Sequence, residues 1–322
     1  MIETTVVGSY PKPPPEGQGF EVRKALHALE RGEVDASEVE AARDRLVTEI
    51  IREQEAAGID IVTDGHARWD DLLTPFARNM AGMEIGGLLR WFDNNVYYRR
   101  PVCTGAIEWR GPSSVDGFQR AAEVATVPVK AVIPGPVTFA RLSVDEHYGD
   151  HSEFVMAIAR VLAQEAFELD AHGARHIQID EPALLTAPED LELARSALGV
   201  IVDECGEAET TMATYFGDAK RLGEDLFTLP VHRYALDLVA GPENLELLRG
   251  LPEDKSLQAG IVNSRNTRLE DKSSLSEQVE QLAGLVGADR LRISPSAGLE
   301  FLPREKARLK LELLAEVGKE GA

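Results

Sequence analysis

The chain has 322 residues, of which 43% are hydrophobic and 6% aromatic, and a formal net charge of -21 at pH 7. This acidic excess argues against nucleic acid or an anionic membrane as a partner, because both require a positive protein surface. With only Cys103 and Cys205, a cysteine-rich metal cluster is excluded and we expect no disulfide framework. Without an apolar span or leader pattern we expect a cytoplasmic protein.

Strands and helices alternate along the first part of the chain. Residues 4–7 form a β-branched run that predicts a first strand, and a proline-rich turn follows at residues 11–15. Residues 38–57 place apolar side chains at helical spacing and end at Gly58, which predicts a helix. Residues 59–63 then read as a second strand, whose end carries Asp64-Gly65-His66.

The segment from residue 82 to about residue 127 is too long for an ordinary connection between a strand and a helix. Between Trp91 and Arg100 it alternates aromatic, amide and cationic side chains. Long elaborated loops on compact folds are commonly functional, which favours a lid or pocket wall. A hairpin that merely covers one end of the fold is an equally good interpretation.

The rest of the chain continues the alternation of strands and helices. Helices are predicted at residues 152–172 and 191–205, and further strands at residues 130–133, 175–180, 209–215, 233–239, 257–262 and 291–293. Eight strand-helix units predict an α/β fold, a (β/α)8 TIM barrel with an elaborated loop region after the second unit and a single domain over residues 1–322. No glycine-rich phosphate-binding motif follows a strand, so a nucleotide site has no support.

The most informative stretch is Arg175-His176-Ile177-Gln178-Ile179-Asp180-Glu181-Pro182. Its strand delivers two adjacent carboxylates at its end, and Pro182 prevents the strand from continuing. In parallel α/β folds the carboxyl ends of the strands form the ligand-binding face. Asp180 and Glu181 are therefore the first candidate site residues, although either carboxylate could instead accept backbone N–H bonds or pair with an arginine.

Other residues, nearly all of them polar, lie at or just after the ends of predicted strands and should gather at the same face. They are Ser9, Asp64, His66, Pro136, Tyr215, Asp218, Asp237, Asn263, Arg265, Asn266 and Ser296. Carboxylates beside an imidazole suit the binding of an ammonium group, a metal ion or acid-base chemistry. A supporting hydrogen-bond role is an equally good interpretation of His66.

Six stretches in order resemble the cobalamin-independent methionine synthase family. They are residues 4–9 (TTVVGS), 62–65 (VTDG), 133–138 (IPGPVT), 177–184 (IQIDEPAL), 214–218 (TYFGD) and 294–296 (SPS). The resemblance implies a barrel in which zinc binds homocysteine as the nucleophilic thiolate. It also implies a methyl donor that is a methyltetrahydrofolate or a methylcorrinoid.

The zinc ligands that the resemblance implies are replaced in this chain. The family's His-x-Cys pair corresponds to Thr211 and Ala213, its later cysteine to Ala297, and its glutamate falls near Val239. We therefore expect no metal at this site. In these features the chain resembles the non-catalytic N-terminal barrel of the long enzymes.

Other positions keep the character of the family's substrate site. Asp180 matches the aspartate that holds the substrate ammonium group, and Ser9 matches the serine near the substrate carboxylate. His66 replaces a family glutamate, which puts homocysteine itself in doubt, and an imidazole of ordinary pKa suits a base at neutral pH. We predict His66 and Glu181 as catalytic residues and Ser9, Asp64, Asp180 and Tyr215 as substrate-binding residues.

Three functions are consistent with these residues. The first is methyl transfer from a folate or corrinoid donor to homocysteine or a related thiol, with a small-molecule amino acid or thiol as substrate. The second is a zinc-free lyase or transferase that uses His66 with Asp180 or Glu181. The third is a non-catalytic barrel that works with a corrinoid protein or a second barrel subunit.

Overall fold

The computed structural model describes residues 1–14 and 20–321. Its strands are β1 (Glu3–Thr4), β2 (Met80–Arg90), β3 (Tyr97–Trp109), β4 (Lys130–Pro134), β5 (Val144–Asp145), β6 (His176–Asp180), β7 (Glu209–Thr214), β8 (Arg233–Asp237), β9 (Ser256–Val262) and β10 (Leu291–Pro295). Its α-helices are α1 (Glu21–Glu30), α2 (Ala36–Ala57), α3 (Thr74–Arg78), α4 (Val115–Val124), α5 (Pro136–Arg141), α6 (His151–Ala171), α7 (Leu191–Val202), α8 (Asn244–Leu247), α9 (Lys272–Val286) and α10 (Arg304–Glu320). Short 3₁₀ helices cover Pro182–Leu185, Pro188–Asp190, Gly223–Thr228 and Leu248–Gly250.

The main sheet is a closed parallel barrel. Seven strands follow the order β1-β10-β9-β8-β7-β6-β4, and every neighbouring pair is parallel. The ring closes through two isolated parallel bridges, one from Thr5 to Ile61 and one from Val62 to Val129. The second predicted strand is therefore present only as this two-residue bridge. The prediction of an eight-stranded α/β barrel is confirmed.

Helices surround the barrel unevenly. The long helices α2, α6 and α9 each begin at an aspartate whose side chain accepts a backbone N–H of the first turn. Helix α2 ends at Gly58, whose φ of 90° needs the freedom of glycine. The prediction of eight full strand-helix units is wrong at two places, because β7 is followed only by a 3₁₀ helix and β8 only by the four-residue α8.

The predicted elaborated region after the second unit is a hairpin. Strands β2 and β3 pair antiparallel, and β3 also pairs with β5. The tip of this hairpin, residues 91–96, lies over the carboxyl ends of the barrel strands, which we call the barrel mouth. The predicted proline-rich turn reaches Pro15, which lies outside the described residues. Within residues 1–14 and 20–321, no helix combines the length and hydropathy needed to cross a bilayer.

Candidate functional site

A cavity of about 240 Å³ opens at the barrel mouth. We call it the mouth cavity. Its wall includes Asp180 at the end of β6, Tyr215 after β7, Ser9 after β1 and His66 after the second strand. The other lining residues are Val7, Gly8, Tyr10, Lys12, Pro13, Trp69, Asp70, Asp71, Leu72, Trp91, Val96, Tyr97, Phe216, Gly298 and Glu300. Four of the six predicted site residues thus meet in one cavity.

Asp180 lies at the floor of the mouth cavity. One carboxylate oxygen accepts a hydrogen bond from Gln178 Nε2 at 2.7 Å, and the other accepts from the Tyr215 hydroxyl at 3.1 Å. Burial raises the pKa of Asp180 to about 7, against the effect of these two donors. The carboxylate therefore faces the cavity in an environment where a cationic ligand would stabilise its ionised form.

A buried lysine lies beneath Asp180 inside the barrel. Lys130 Nζ donates to the Val6 carbonyl and to Gln178 Oε1, each at 2.6 Å, and Gln178 in turn donates to Asp180. Burial lowers the pKa of Lys130 to about 7. Since Gln178 is held on both sides, its amide orientation is fixed, and this positions the Asp180 carboxylate.

Glu181 points away from the mouth cavity. Its oxygens accept the backbone N–H groups of Val137 at 2.9 Å and Thr138 at 2.7 Å, at the start of α5. A Cβ at Gly135 would lie 2.1 Å from Glu181 Cδ, so the glycine makes room for this contact. Burial raises the pKa of Glu181 to about 7. These contacts fit a structural cap of α5 and give no support to the predicted catalytic role.

His66 is part of the cavity wall in a strained backbone conformation. Its φ is 50°, and its ring stacks on Trp69 with centroids 4.0 Å apart. Burial, together with the charges of Lys12 and Lys130, lowers its pKa to about 3. The imidazole is therefore neutral at physiological pH and is a much weaker base than an imidazole of ordinary pKa.

Asp64 supports the turn that carries His66. Its Oδ1 accepts the backbone N–H of His66 at 2.9 Å, and Gly117 packs closely against its Oδ2. Burial raises the pKa of Asp64. These contacts place Asp64 behind the cavity wall, in contrast to the direct substrate contact that the sequence predicted.

Sequence reasoning missed two charged residues of the cavity, Glu300 and Lys12. Glu300 accepts a hydrogen bond from the Ser9 hydroxyl, and burial raises its pKa. Lys12 donates to the Trp69 carbonyl, and burial lowers its pKa. Glu300 follows the last predicted strand by seven residues and Lys12 follows Ser9 by three, so a search further beyond the strand ends would have found both.

The hairpin tip forms the aromatic side of the cavity. Trp91, Val96 and Tyr97 line it, opposite Phe216, whose φ is 75°. Arg265 holds this arrangement: its guanidinium lies 5.0 Å from the centre of the Phe216 ring and donates to Asn94 Oδ1 at 3.2 Å. The prediction that this segment supplies a pocket wall matches the lining of the cavity.

A second, more polar cavity of about 660 Å³ adjoins the first. The two share Val96 and Glu300 in their walls. Several predicted strand-end residues line this second cavity and not the first, namely Asn263, Arg265, Asn266 and Ser296. Asp237 instead accepts backbone N–H groups of Phe216, Val239 and Ala240, which ties two loops together.

The residues at the implied zinc positions do not fit zinc. Zinc in proteins is bound by cysteine, histidine or carboxylate side chains, and Thr211, Ala213 and Val239 offer none of these. Ala297 packs with Val7 and Tyr215 in a small apolar cluster. Within the described part of the chain, no three histidine, cysteine, aspartate or glutamate side chains are grouped for a metal ion.

Relatives by sequence extend over nearly the whole chain. Residues 2–320 match the family model described as cobalamin-independent synthase, catalytic domain. A methionine synthase of Saccharolobus solfataricus is 30% identical over 326 residues, covering 98% of this chain and 93% of the relative. One from Sulfurisphaera tokodaii is 29% identical over 313 residues, covering 97% and 90%.

Solved structures share the fold. A B12-independent methionine synthase from Shewanella sp. W3-18-1, in complex with selenomethionine, aligns with a TM-score of 0.85 at 21% identity, covering 99% of this chain and 97% of that one. A putative vitamin-B12 independent methionine synthase from Listeria monocytogenes aligns with a TM-score of 0.78 at 19% identity, covering 99% and 98%. The sequence matches and the barrel together show that the chain belongs to the cobalamin-independent methionine synthase family.

Proposed function

We propose that the mouth cavity binds homocysteine or a related amino-acid thiol and that the protein transfers a methyl group to its sulfur from a folate or corrinoid donor. The observation that carries this proposal is Asp180, a buried carboxylate at the cavity floor, whose hydrogen-bond donors among the described residues are the neutral Gln178 and Tyr215. An ammonium group is the natural complement of such a carboxylate.

The remaining contacts assign the other parts of an amino-acid ligand. Asp180 takes the α-ammonium group, and Tyr215 orients Asp180 through its hydroxyl. Lys12 takes the α-carboxylate, and Ser9, another residue of the cavity wall, joins it once its hydroxyl turns away from Glu300. The side chain of the ligand then extends along the stacked rings of His66 and Trp69. In this arrangement Asp64 contributes by holding the His66 turn, and Glu181 by holding α5 beside β6.

Activation of the thiol is the demanding step in this proposal. A free thiol has a pKa of about 8.5, and only the thiolate is a good nucleophile. The residues present do not supply the family's zinc, and a neutral His66 is a weak base. Lys12 is the one cationic side chain among the described residues that line the mouth cavity, and with the α-carboxylate bound to it no second cation is left there to stabilise a thiolate.

The second candidate function is a ligand-binding barrel that works with a separate corrinoid protein or catalytic barrel. It is favoured by the apolar cluster of Val7, Tyr215 and Ala297 at the implied zinc position. A partner would then supply the thiol activation. The zinc-free lyase or transferase is less well supported, because Glu181 faces α5 and His66 is neutral.

One experiment separates the candidates. Calorimetry with homocysteine and methionine tests the cavity, and methionine formation is then measured with methylfolate or methylcorrinoid donors, with and without added zinc. Turnover supports methyl transfer by this chain alone. Binding without turnover supports the second candidate, and absence of both binding and turnover contradicts each of them. Loss of an otherwise detected reaction in His66→Gln with the fold intact would restore His66 as an acid-base residue.

A further inference from the structure

The mouth cavity is unusually anionic for a site that binds a neutral amino acid. Its lining contains the carboxyl groups of Asp70, Asp71, Asp180 and Glu300, against the single ammonium group of Lys12. Charge is therefore the property of this cavity that most restricts its ligand.

Two of these carboxylates are already engaged by the protein. Asp70 pairs with Arg78 at the surface. Asp71 accepts the backbone N–H groups of Leu73 and Thr74 at the start of α3 and that of Arg99. Neither carboxylate requires a ligand for its compensation.

Asp180 and Glu300 differ from Asp70 in forming no ion pair among the described residues, and from Asp71 in accepting no backbone N–H group of another residue. Asp180 is bonded to Gln178 and Tyr215, and Glu300 to Ser9. Among the residues that the structure describes, neither carboxylate forms an ion pair, and the cations that act on them from further away are Lys130 for Asp180 and Lys12 for Glu300. Burial raises the pKa of both carboxyl groups, so the protein alone does not stabilise their charged forms.

An ordinary zwitterionic amino acid leaves one of these charges uncompensated. Its ammonium group compensates Asp180, and its carboxylate takes the charge of Lys12. Glu300 then has to share the charge of Lys12 with the ligand carboxylate, since no second cation is among the described residues that line the cavity. A second positive charge on the ligand side chain would complete the balance.

The aromatic walls specify the kind of positive charge. The rings of Trp69, Trp91, Tyr97 and Phe216 line the same cavity. Soft, weakly hydrated onium cations are bound by such aromatic faces, whereas a strongly hydrated ammonium group would lose more hydration. A sulfonium fits both the aromatic walls and the free carboxylate.

We propose that the mouth cavity is selective for an amino acid with a sulfonium side chain, the S-methylated form of a methionine-type amino acid. This inference rests on the proposed function, in that it places a methionine-type amino acid in the same cavity. It goes beyond that function by naming a class of ligand with a cationic side chain. Neither the anionic folate nor the neutral thiol of the proposed function belongs to this class.

The test compares ligands of matched shape with the full chain by calorimetry. S-methylmethionine is measured against 2-amino-5-methylhexanoic acid, its uncharged carbon analogue, and against methionine and homocysteine. We expect the sulfonium to bind at least about tenfold more tightly than the carbon analogue, as cation–π and carboxylate contacts imply. Equal affinities for the two would overturn the inference.

A variant pair assigns the selectivity to the free carboxylate. Glu300→Gln should reduce the affinity ratio of sulfonium to carbon analogue to about one, while the exposed Glu253→Gln, with the same change of charge, should keep it. A ratio unchanged in Glu300→Gln contradicts the inference. Should Glu300→Gln fail to fold, Trp91→Leu tests the aromatic wall by the same ratio, and an unchanged ratio there counts against the inference as well.

The outcomes also separate this inference from the proposed function. Binding of methionine and homocysteine without preference for the sulfonium removes the inference and leaves the proposed function standing. Binding of the sulfonium alone supports the inference and contradicts homocysteine as the ligand. Binding of none of the four contradicts both.

Discussion

Buried carboxylates are compensated differently at the two ends of the barrel. At the amino-terminal end of the strands, Glu209 accepts from Arg292 at 2.8 Å and from Arg233 at 3.1 Å. Burial alone raises the pKa of Glu209, but bonds from His176 and Arg233 and the nearby arginine charges outweigh it and hold the pKa well below its usual range. At the mouth, Asp180 has only neutral donors, and its pKa is raised.

The difference separates stability from binding. A carboxylate paired with buried guanidinium groups is compensated within the fold, and breaking the pair leaves uncompensated charge. A carboxylate without an ion pair contributes little to the stability of the fold and remains available to interact with a charged ligand. We therefore expect substitutions at the amino-terminal end of the strands to lower stability and substitutions at the mouth to weaken ligand binding.

The largest expected effect is on stability, at the amino-terminal end of the barrel strands. Glu209→Gln leaves the buried guanidinium groups of Arg233 and Arg292 without this carboxylate, and the free energy of unfolding should fall by about 3 kcal/mol. Urea denaturation measures this change. Glu312→Gln, which removes an exposed ion pair with Arg308, is the matched control and should cost at most about 0.5 kcal/mol. Equal losses in the two variants would contradict the comparison.

The next effect is on binding, at the mouth. Asp180→Asn keeps the shape of the side chain and removes the charge that faces the ligand ammonium group, so the affinity for methionine should fall about 100-fold. Tyr215→Phe removes one hydroxyl and should cost only about fivefold. Calorimetry gives both numbers. An Asp180→Asn variant that binds methionine normally would show that the ammonium group lies elsewhere.

A smaller effect is expected in the pH dependence of stability without ligand. Because the pKa of Asp180 is about 7 in the folded protein and near 4 when unfolded, the folded state retains a proton that the unfolded state has lost between these values. Stability should therefore fall as the pH rises through this window, by about 2 kcal/mol from about pH 5 to about pH 7 for this group.

Asp180→Asn is the direct test of that pH effect. The variant should show a flatter stability profile than the parent over the same window, although Glu181, whose pKa is also about 7, contributes in the same direction in both proteins. The charge of Lys130 lowers the pKa of Asp180, and the charge of Glu300 raises it. Identical profiles in urea melts at several pH values would contradict the raised pKa of Asp180.

The smallest effect concerns Glu181, the neighbour of Asp180. Glu181→Gln weakens a charged acceptor of two backbone N–H groups at the start of α5, and stability should fall by about 1 kcal/mol. A catalytic Glu181 predicts the reverse, a loss of turnover at unchanged stability. Denaturation and activity of the same preparation distinguish the two roles, with the exposed Glu253→Gln as the control for a change of charge.

Much of the candidate site could be predicted from strand ends alone. Asp180 and Tyr215 end predicted strands, Ser9 and His66 follow two others, and the closed parallel barrel brings all four to one cavity. Glu181 shows why adjacency in sequence was not enough. Side chains alternate along a strand, so Gln178 and Asp180 face the barrel interior while Glu181 faces α5.

The sequence by itself determined the alternation of elements, the barrel class, the family and which side chains stand at the implied zinc positions, because these depend on local patterns along the chain. Only the tertiary structure decided the environment of each charge. Glu300, Lys12 and Asp180 lie far apart in sequence, and their pKa values depend on burial and on neighbours that the closed barrel brings together. The same is true of the hairpin tip, where Arg265 binds Asn94 and Phe92 packs near Phe216, residues far apart in sequence.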